Sequence, residues 1–269
     1  MRNFRAAPGL SLALLVACSA FAGKANEQTS SVEPGRKPVV VELFTSEGCS
    51  SCPSADALLE KLEAQQPVAG VEIIAFEEHV DYWNHDGWID PYSSPEWTQR
   101  QEAYTALFKK DAYTPELVVD GHSQFVGSDE RKAELEIEKA ARGVKTEVAI
   151  TSGKSEAKAS QHFMVSVGKL AGNKAGDVAE IWLAVTEDGL HSSVSRGENA
   201  GHVLDHGATL RSLRKIGVAD ASAASASFTG DTVVKFSPQW DPDNLQVTVF
   251  VQEKKSRVIL GAASSKIKG

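Results

Sequence analysis

The chain has 269 residues, 42% of them hydrophobic and 24% charged, with a formal net charge of −8 and only three cysteines. That length favours two domains, and that composition is ordinary for a soluble globular protein with a sizeable core. The acidic balance, with no basic patch, argues against a nucleic-acid partner.

The chain opens with Arg2 and Arg5, an apolar stretch from Leu10 to Ala17, and a small-x-small site at Ala20-Phe21-Ala22. This pattern predicts a secretory signal peptide over residues 1–22, too short to span a membrane. Leu15-Val16-Ala17-Cys18 also resembles a bacterial lipobox, in which Cys18 would be lipidated and tether the protein to a membrane surface. Either route exports the protein to a periplasmic or secreted location. No later apolar run is long enough for a membrane span. Residues 23–37 are polar, hold Pro34 and Gly35, and read as a flexible leader.

Residues 38–45 read as a buried strand rich in β-branched side chains. Pro53 to Gln65 reads as a helix, with Pro53 in the first turn and Ala55, Leu58, Leu59 and Leu62 at three-to-four spacing. Val71 to Phe76 is a second strand, so strand, helix and strand form a right-handed parallel unit. A Trp-rich segment without a clear period, 79–92, reads as a long loop. Pro95 to Lys110 reads as a helix. A Pro-led strand then ends in Asp120-Gly121, a hairpin signal, and His122 to Val126 returns. Ser128 is placed as the cap of a helix running to Arg142. The low-complexity stretch 152–160 marks a change of composition. Strand-like runs follow at 146–151, 162–168, 178–187, 232–236, 245–252 and 257–262, with a short helix at 208–216. The expected fold class is therefore α/β over 38–142 followed by a mostly antiparallel, sandwich-like β domain over 143–269.

Cys49-Ser50-Ser51-Cys52-Pro53 lies where the first strand gives way to the first helix. A helix N-terminus offers partial positive charge and unpaired N–H groups, which stabilise a thiolate and can lower its pKa from ~8.5 to about 7 or below. Cys49, at the exposed start of the helix, is the expected nucleophile. Cys52, a turn further in, is the expected resolving thiol. A static disulfide and a metal-binding pair are the competing readings. Glu42, seven residues before Cys49 in an apolar strand, is a candidate buried acid for proton transfer, or else an edge-strand carboxylate facing water. Glu47 places a negative charge beside the pair, which opposes thiolate formation.

The order β-α-β-α-β-β-α, with Cys-x-x-Cys at the first helix, resembles the thioredoxin fold. Thr114-Pro115-Glu116-Leu117-Val118-Val119-Asp120-Gly121 resembles the cis-proline element of periplasmic disulfide oxidoreductases. More closely, Phe44 to Pro53, His79-Val80-Asp81-Tyr82-Trp83 and Gly87-Trp88-Ile89-Asp90-Pro91 resemble a bacterial family of secreted thioredoxin-like proteins defined as a domain of unknown function. That resemblance spans about residues 38–269, with Arg196-Gly197-Glu198-Asn199 in the second domain. It implies a thioredoxin-like first domain, with Pro115 in a cis bond beside the cysteines and Thr114 beside a substrate peptide. The family's thioredoxin relatives usually place Trp before the first cysteine, where this chain has Gly48.

Thiol–disulfide exchange with a protein or small thiol partner is the expected function, with no cofactor. The alternatives are a copper-binding module, using the cysteines and His79, and a non-catalytic interaction module. Trp83 and Trp88, with Tyr82, Tyr92 and Trp97, either line a substrate groove or anchor their loop. His202 and His206, four apart with Asp205 beside them, give a weak metal signal. Arg196-Gly197-Glu198-Asn199 is read as a cap on the domain interface, held by a salt bridge.

Overall fold

The computed structural model describes Met1 and residues 29–30, 35–153 and 159–267. The predicted signal peptide, its cleavage site and Cys18 lie outside the described residues. Among the described residues, no helix is long and apolar enough to cross a membrane.

Inside the segment read as a leader, Thr29–Ser30 form a short strand, β1. The first half then runs β2 (Lys37–Thr45), α1 (Pro53–Gln65), β3 (Val71–His79), α2 (Pro95–Phe108), β4 (Glu116–Val119), β5 (Ser123–Val126) and α3 (Glu130–Ala141). β2 pairs parallel with β3 and antiparallel with β4, and its side chains are buried on both faces. Burial on both faces is why its sequence reads as an unbroken apolar run. Val39, Val41 and Leu43 pack against α1 and α3, in a cluster with Leu58, Leu59, Leu62 and Ile137. The alternate residues Val40 and Phe44 face the α2 side.

The predicted hairpin forms at Asp120-Gly121, both with positive φ (47° and 68°), in a tight turn closed by His122 N donating to the Val119 carbonyl at 2.8 Å, with Val119 paired to Ser123. Glycine is needed there for a second reason: a Cβ on Gly121 would lie 2.1 Å from the Arg257 carbonyl oxygen. α3 is capped by the Asp129 side chain, which accepts from Lys132 N at 3.0 Å, rather than by Ser128.

The second half contains β6 (Val148–Ser152), β7 (Ser160–Val167), β8 (Ala179–Glu187), β9 (Leu190–Ser193), β10 (Val203–His206), β11 (Thr209–Val218), β12 (Phe228–Lys235), β13 (Leu245–Glu253) and β14 (Ile259–Lys266). One mixed sheet of eight strands, ordered β14-β13-β8-β11-β3-β2-β4-β5, runs through both halves. A four-stranded sheet, β1-β6-β7-β12, packs against its second-half end. Phe163, Val165 and Ile150 there meet Ile181, Leu183, Val247 and Val249. On the opposite face, Trp97 of α2 packs with Val40, Phe76, Ala184, Leu210 and Phe250, so a single apolar cluster draws on both halves.

The expected helix at 208–216 is instead strand β11. Leu210, Leu213 and Ile216 are three apart, which reads as helical. In the structure, register shifts between Leu210 and Ser212 and between Lys215 and Gly217 add residues to the strand. The bulge after Leu210 resets which face each side chain takes, so Leu210 and Leu213 meet one cluster although three apart, while Ile216 packs on the other face. β11 joins the first half through one parallel pair, Thr209 with Glu77. That junction carries the preceding hairpin, β9–β10, over the start of α1.

Candidate functional site

Cys49 and Cys52 form a disulfide, with Cα atoms 5.4 Å apart, in the turn between β2 and α1. Cys52 is the N-cap of α1 and Pro53 opens its first turn. Thr114–Pro115 is a cis peptide bond, and Pro115 is buried. Gly127 sits where a Cβ would meet Leu43, Ala55 and Pro115 within 3.3 Å, which places Pro115 against the base of the same helix. The Trp83 indole N–H donates to Thr114 Oγ1 at 2.8 Å, and a Cβ on Gly48 would lie 3.0 Å from Trp83 Cβ. Space beside the first cysteine is thus filled by a Trp from the loop after β3. Trp88 donates to Glu47 Oε2 at 2.6 Å. Both half-buried indoles thus hydrogen-bond to side chains next to the cysteine turn. A groove of about 610 Å³ opens elsewhere, between α1 and the second half, lined by residues that include Arg36, Glu60, Glu63, Asp188 and Lys266.

Cys49 is not exposed as the sequence suggested: it is 1% exposed and Cys52 is 0%. The loop 194–202, between β9 and β10, is bonded to the backbone of this turn. The Asn199 side-chain amide donates to the carbonyls of Glu47 (2.8 Å) and Cys49 (3.1 Å). The Glu198 carboxylate accepts from Ser50 N at 3.0 Å. The Arg196-Gly197-Glu198-Asn199 segment therefore caps the cysteine turn itself. It does so with side chain-to-backbone hydrogen bonds, not through a salt bridge.

Glu42 faces the other side of the sheet. Its carboxylate accepts from Arg100 Nε (2.5 Å) and from the Tyr104 hydroxyl (2.5 Å), and Gln252 of the second half bonds both Arg100 and Tyr104. Glu78 lies on the same side, where burial, with the neighbouring Glu42 charge, holds its carboxyl well above the usual range. A candidate proton-transfer residue is thus an ion-paired core residue under α2, while α1 and the cysteines occupy the other face.

One buried acid on the cysteine side is Asp56, in the first turn of α1. Burial, reinforced by the charge of Glu77, pushes it up to about 8, and Thr45 Oγ1 donates to it at 2.6 Å. Behind it lies a closed polar cluster. His79 Nδ1 is 2.7 Å from Asp90 Oδ2, which also accepts from Glu47 N. His206 places Nδ1 3.1 Å from Glu77 Oε1 and Nε2 3.1 Å from Glu47 Oε1. Thr209 donates to Glu77 Oε2 at 2.9 Å. Burial alone would lower both imidazoles. Asp90 and Glu77 instead hold His79 well above the ordinary value, and Glu47 and Glu77 raise His206 to about 9. Burial likewise works to raise Glu77, but the two histidines outweigh it and hold it at about 2.

The sequence singles out His79 and Glu47, and His206 only beside His202, which proves exposed and outside the cluster. Asp56 had no assigned role, and Asn199 entered only as part of the interface cap read at 196–199. Asp56 occupies a polar position in a helical pattern, and the partners of Asn199 lie about 150 residues away.

The match that decides the family covers residues 40–252. The chain belongs to the family described as a protein of unknown function (DUF1223). Among solved structures, this family member is similar to protein AGR_C_4864 from Agrobacterium tumefaciens, at 22% identity and a TM-score of 0.65, over 87% of this chain and 98% of that one. It is also similar to HBP35 of Porphyromonas gingivalis, at 16% identity and a TM-score of 0.62, over 86% and 76% of the two chains. Both likenesses concern the fold alone. No curated protein matches.

Proposed function

We propose that this is an exported thiol–disulfide exchange protein. Its first half would be a thioredoxin-like domain and its second half would supply a cover for the reactive pair. The observation that carries the reading is the Cys49–Cys52 disulfide at a strand-to-helix turn with Cys52 as N-cap. The sheet order β3-β2-β4-β5, with α1 and α3 against one face and α2 against the other, supports the domain assignment. The signal-like residues 1–22 support export.

In the oxidised form, a substrate thiolate attacks Cys49 Sγ. The Cys49–Cys52 bond breaks, Cys52 leaves as the thiolate, and a mixed disulfide forms. A second substrate thiolate then attacks the substrate sulfur, and Cys49 leaves as the thiolate. Two substrate thiols are oxidised to a disulfide, and the pair takes up both electrons. In reverse, the Cys49 thiolate attacks a substrate disulfide and Cys52 resolves it. The helix N-terminus favours the thiolate in either direction. Asp56, a buried acid in the first turn of the helix that the cysteines open, takes the proton-handling role in place of Glu42. Thr114 and Pro115 line the approach with Trp83.

Because both sulfurs are covered, exchange in this reading requires the 194–202 loop to open. Asn199→Ala removes two hydrogen bonds from the closed form, each contributing about 1 kcal/mol. The variant is expected to be reduced by dithiothreitol roughly 10–30-fold faster, as followed by alkylation and mass spectrometry, if opening limits the rate. An unchanged rate would remove the gating role from this loop.

Among the described residues, the grouping of three close metal-competent donors that contains His79 holds no cysteine sulfur. The copper alternative, which pairs His79 with the cysteines, is therefore not the reading preferred.

A further inference from the structure

We propose that Glu77, His79 and His206 form a binding site for one divalent transition-metal ion, Zn²⁺ first, beside the seam where β11 meets β3. The site uses no cysteine and stands independently of the dithiol reading.

The donors come from two strands. Glu77 and His79 are two apart on β3 and so share a face, and His206 ends β10. Their ligand atoms all lie within 4.8 Å of one another, and all three residues are buried. Glu77 Oε1 is 3.1 Å from His206 Nδ1, and Glu77 Oε2 is 3.5 Å from His79 Nε2. Ligands about 2.0–2.1 Å from a tetrahedral zinc stand about 3.3 Å apart; both imidazole–carboxylate spacings, each to a different Glu77 oxygen, are close to that, and any wider pair within the 4.8 Å limit would draw in on binding.

The outer partners point the same way. His79 presents its far nitrogen to Asp90 and His206 presents its far nitrogen to Glu47. A histidine that binds metal characteristically donates its other N–H to a carboxylate, which fixes the tautomer and aims the lone pair at the ion. Here both histidines are held in that way. Their near nitrogens then face Glu77. His79 Nε2 is fully buried and has no hydrogen-bond partner. A neutral ring would aim its lone pair at the Glu77 carboxylate, which is repulsive. Each near nitrogen therefore requires either a proton or a metal ion, and one divalent ion would serve both.

Two imidazoles and one carboxylate are a zinc donor set that leaves a fourth position open. The ion would tie the base of the covering hairpin to β3 and, through Glu47, to the turn that carries Cys49.

The test uses the full chain, stripped with a chelator and dialysed against Zn²⁺. The expected result is one zinc per chain by elemental analysis, retained in a Cys49→Ser/Cys52→Ser double variant and lost in Glu77→Gln and His206→Asn. Should those variants fail to fold, Co²⁺ loading of the unmodified chain decides. Visible d–d absorption without sulfur-to-cobalt charge transfer supports the site. No stoichiometric uptake, uptake that follows the cysteines, or a sulfur charge-transfer band would each overturn it. Failure to bind metal would leave a doubly protonated imidazole–carboxylate network and would not touch the dithiol reading.

Discussion

Cys49→Ser is expected to abolish thiol–disulfide exchange, lowering turnover in an insulin-reduction or dithiol-oxidation assay by at least about 10³-fold. Serine cannot form the mixed disulfide, and its hydroxyl is not a leaving group under these conditions. The fold should survive. The bond closes a very short loop, for which the chain-entropy contribution is only about 2 kcal/mol. Ser51 Oγ, 3.3 Å from Cys49 Sγ, offers the new hydroxyl a partner. A folded but inactive variant is the predicted outcome. A folded variant that retains exchange would mean that the chemistry lies elsewhere.

Arg100→Ala is expected to lower stability by about 3–5 kcal/mol, a large part of a domain's total. Arg100 is ion-paired with Glu42, which is 0% exposed, and also reaches Tyr104 and Gln252. Truncating the arginine leaves a carboxylate in the core without its cation. The cost comes from that uncompensated charge more than from the lost attraction. Urea denaturation should show the loss as an earlier midpoint. Replacing both members, with Glu42→Gln and Arg100→Met, should restore most of it. A loss below about 1 kcal/mol would show that Glu42 is not held as an isolated buried ion in the variant. Because Gln252 belongs to the second half, the transition should be felt across both.

Much of the first half was legible because its elements obey single, local rules. α1 starts at Pro53 and ends at Gln65 as read, since proline at the first turn and leucines at three-to-four spacing act within one element. The Asp120-Gly121 turn was legible for the same reason. β11 was not, because its bulges break the two-residue period, leaving Leu210 and Leu213 on one face at a helix-like spacing. The β9–β10 hairpin was not, because each strand is only four residues long and carries too few apolar positions to show a period.

The site divides in the same way. Cys49, Cys52 and Pro115 carry their own sequence signals. Glu42 was an unusual acid in an apolar strand, but its strand position turns it toward α2, and the polar cluster forms on the other face. Glu77 and Glu78 are neighbours in sequence that serve opposite faces of the sheet. His206 reaches Glu77 only because Thr209 pairs with Glu77 across the seam. Asn199 reaches the cysteine turn only because that seam sets the hairpin over α1. Contacts over such separations belong to the topology and leave no local trace.

The most direct test of the central claim is a redox titration of the native chain in glutathione and dithiothreitol buffers, quenched by alkylation, with the Cys49–Cys52 pair read by mass spectrometry. The account predicts a reversible two-electron transition, reached from both directions while the circular dichroism stays native. A disulfide that is reduced only after the chain unfolds would contradict it and leave Cys49–Cys52 a structural link beneath a permanent cover.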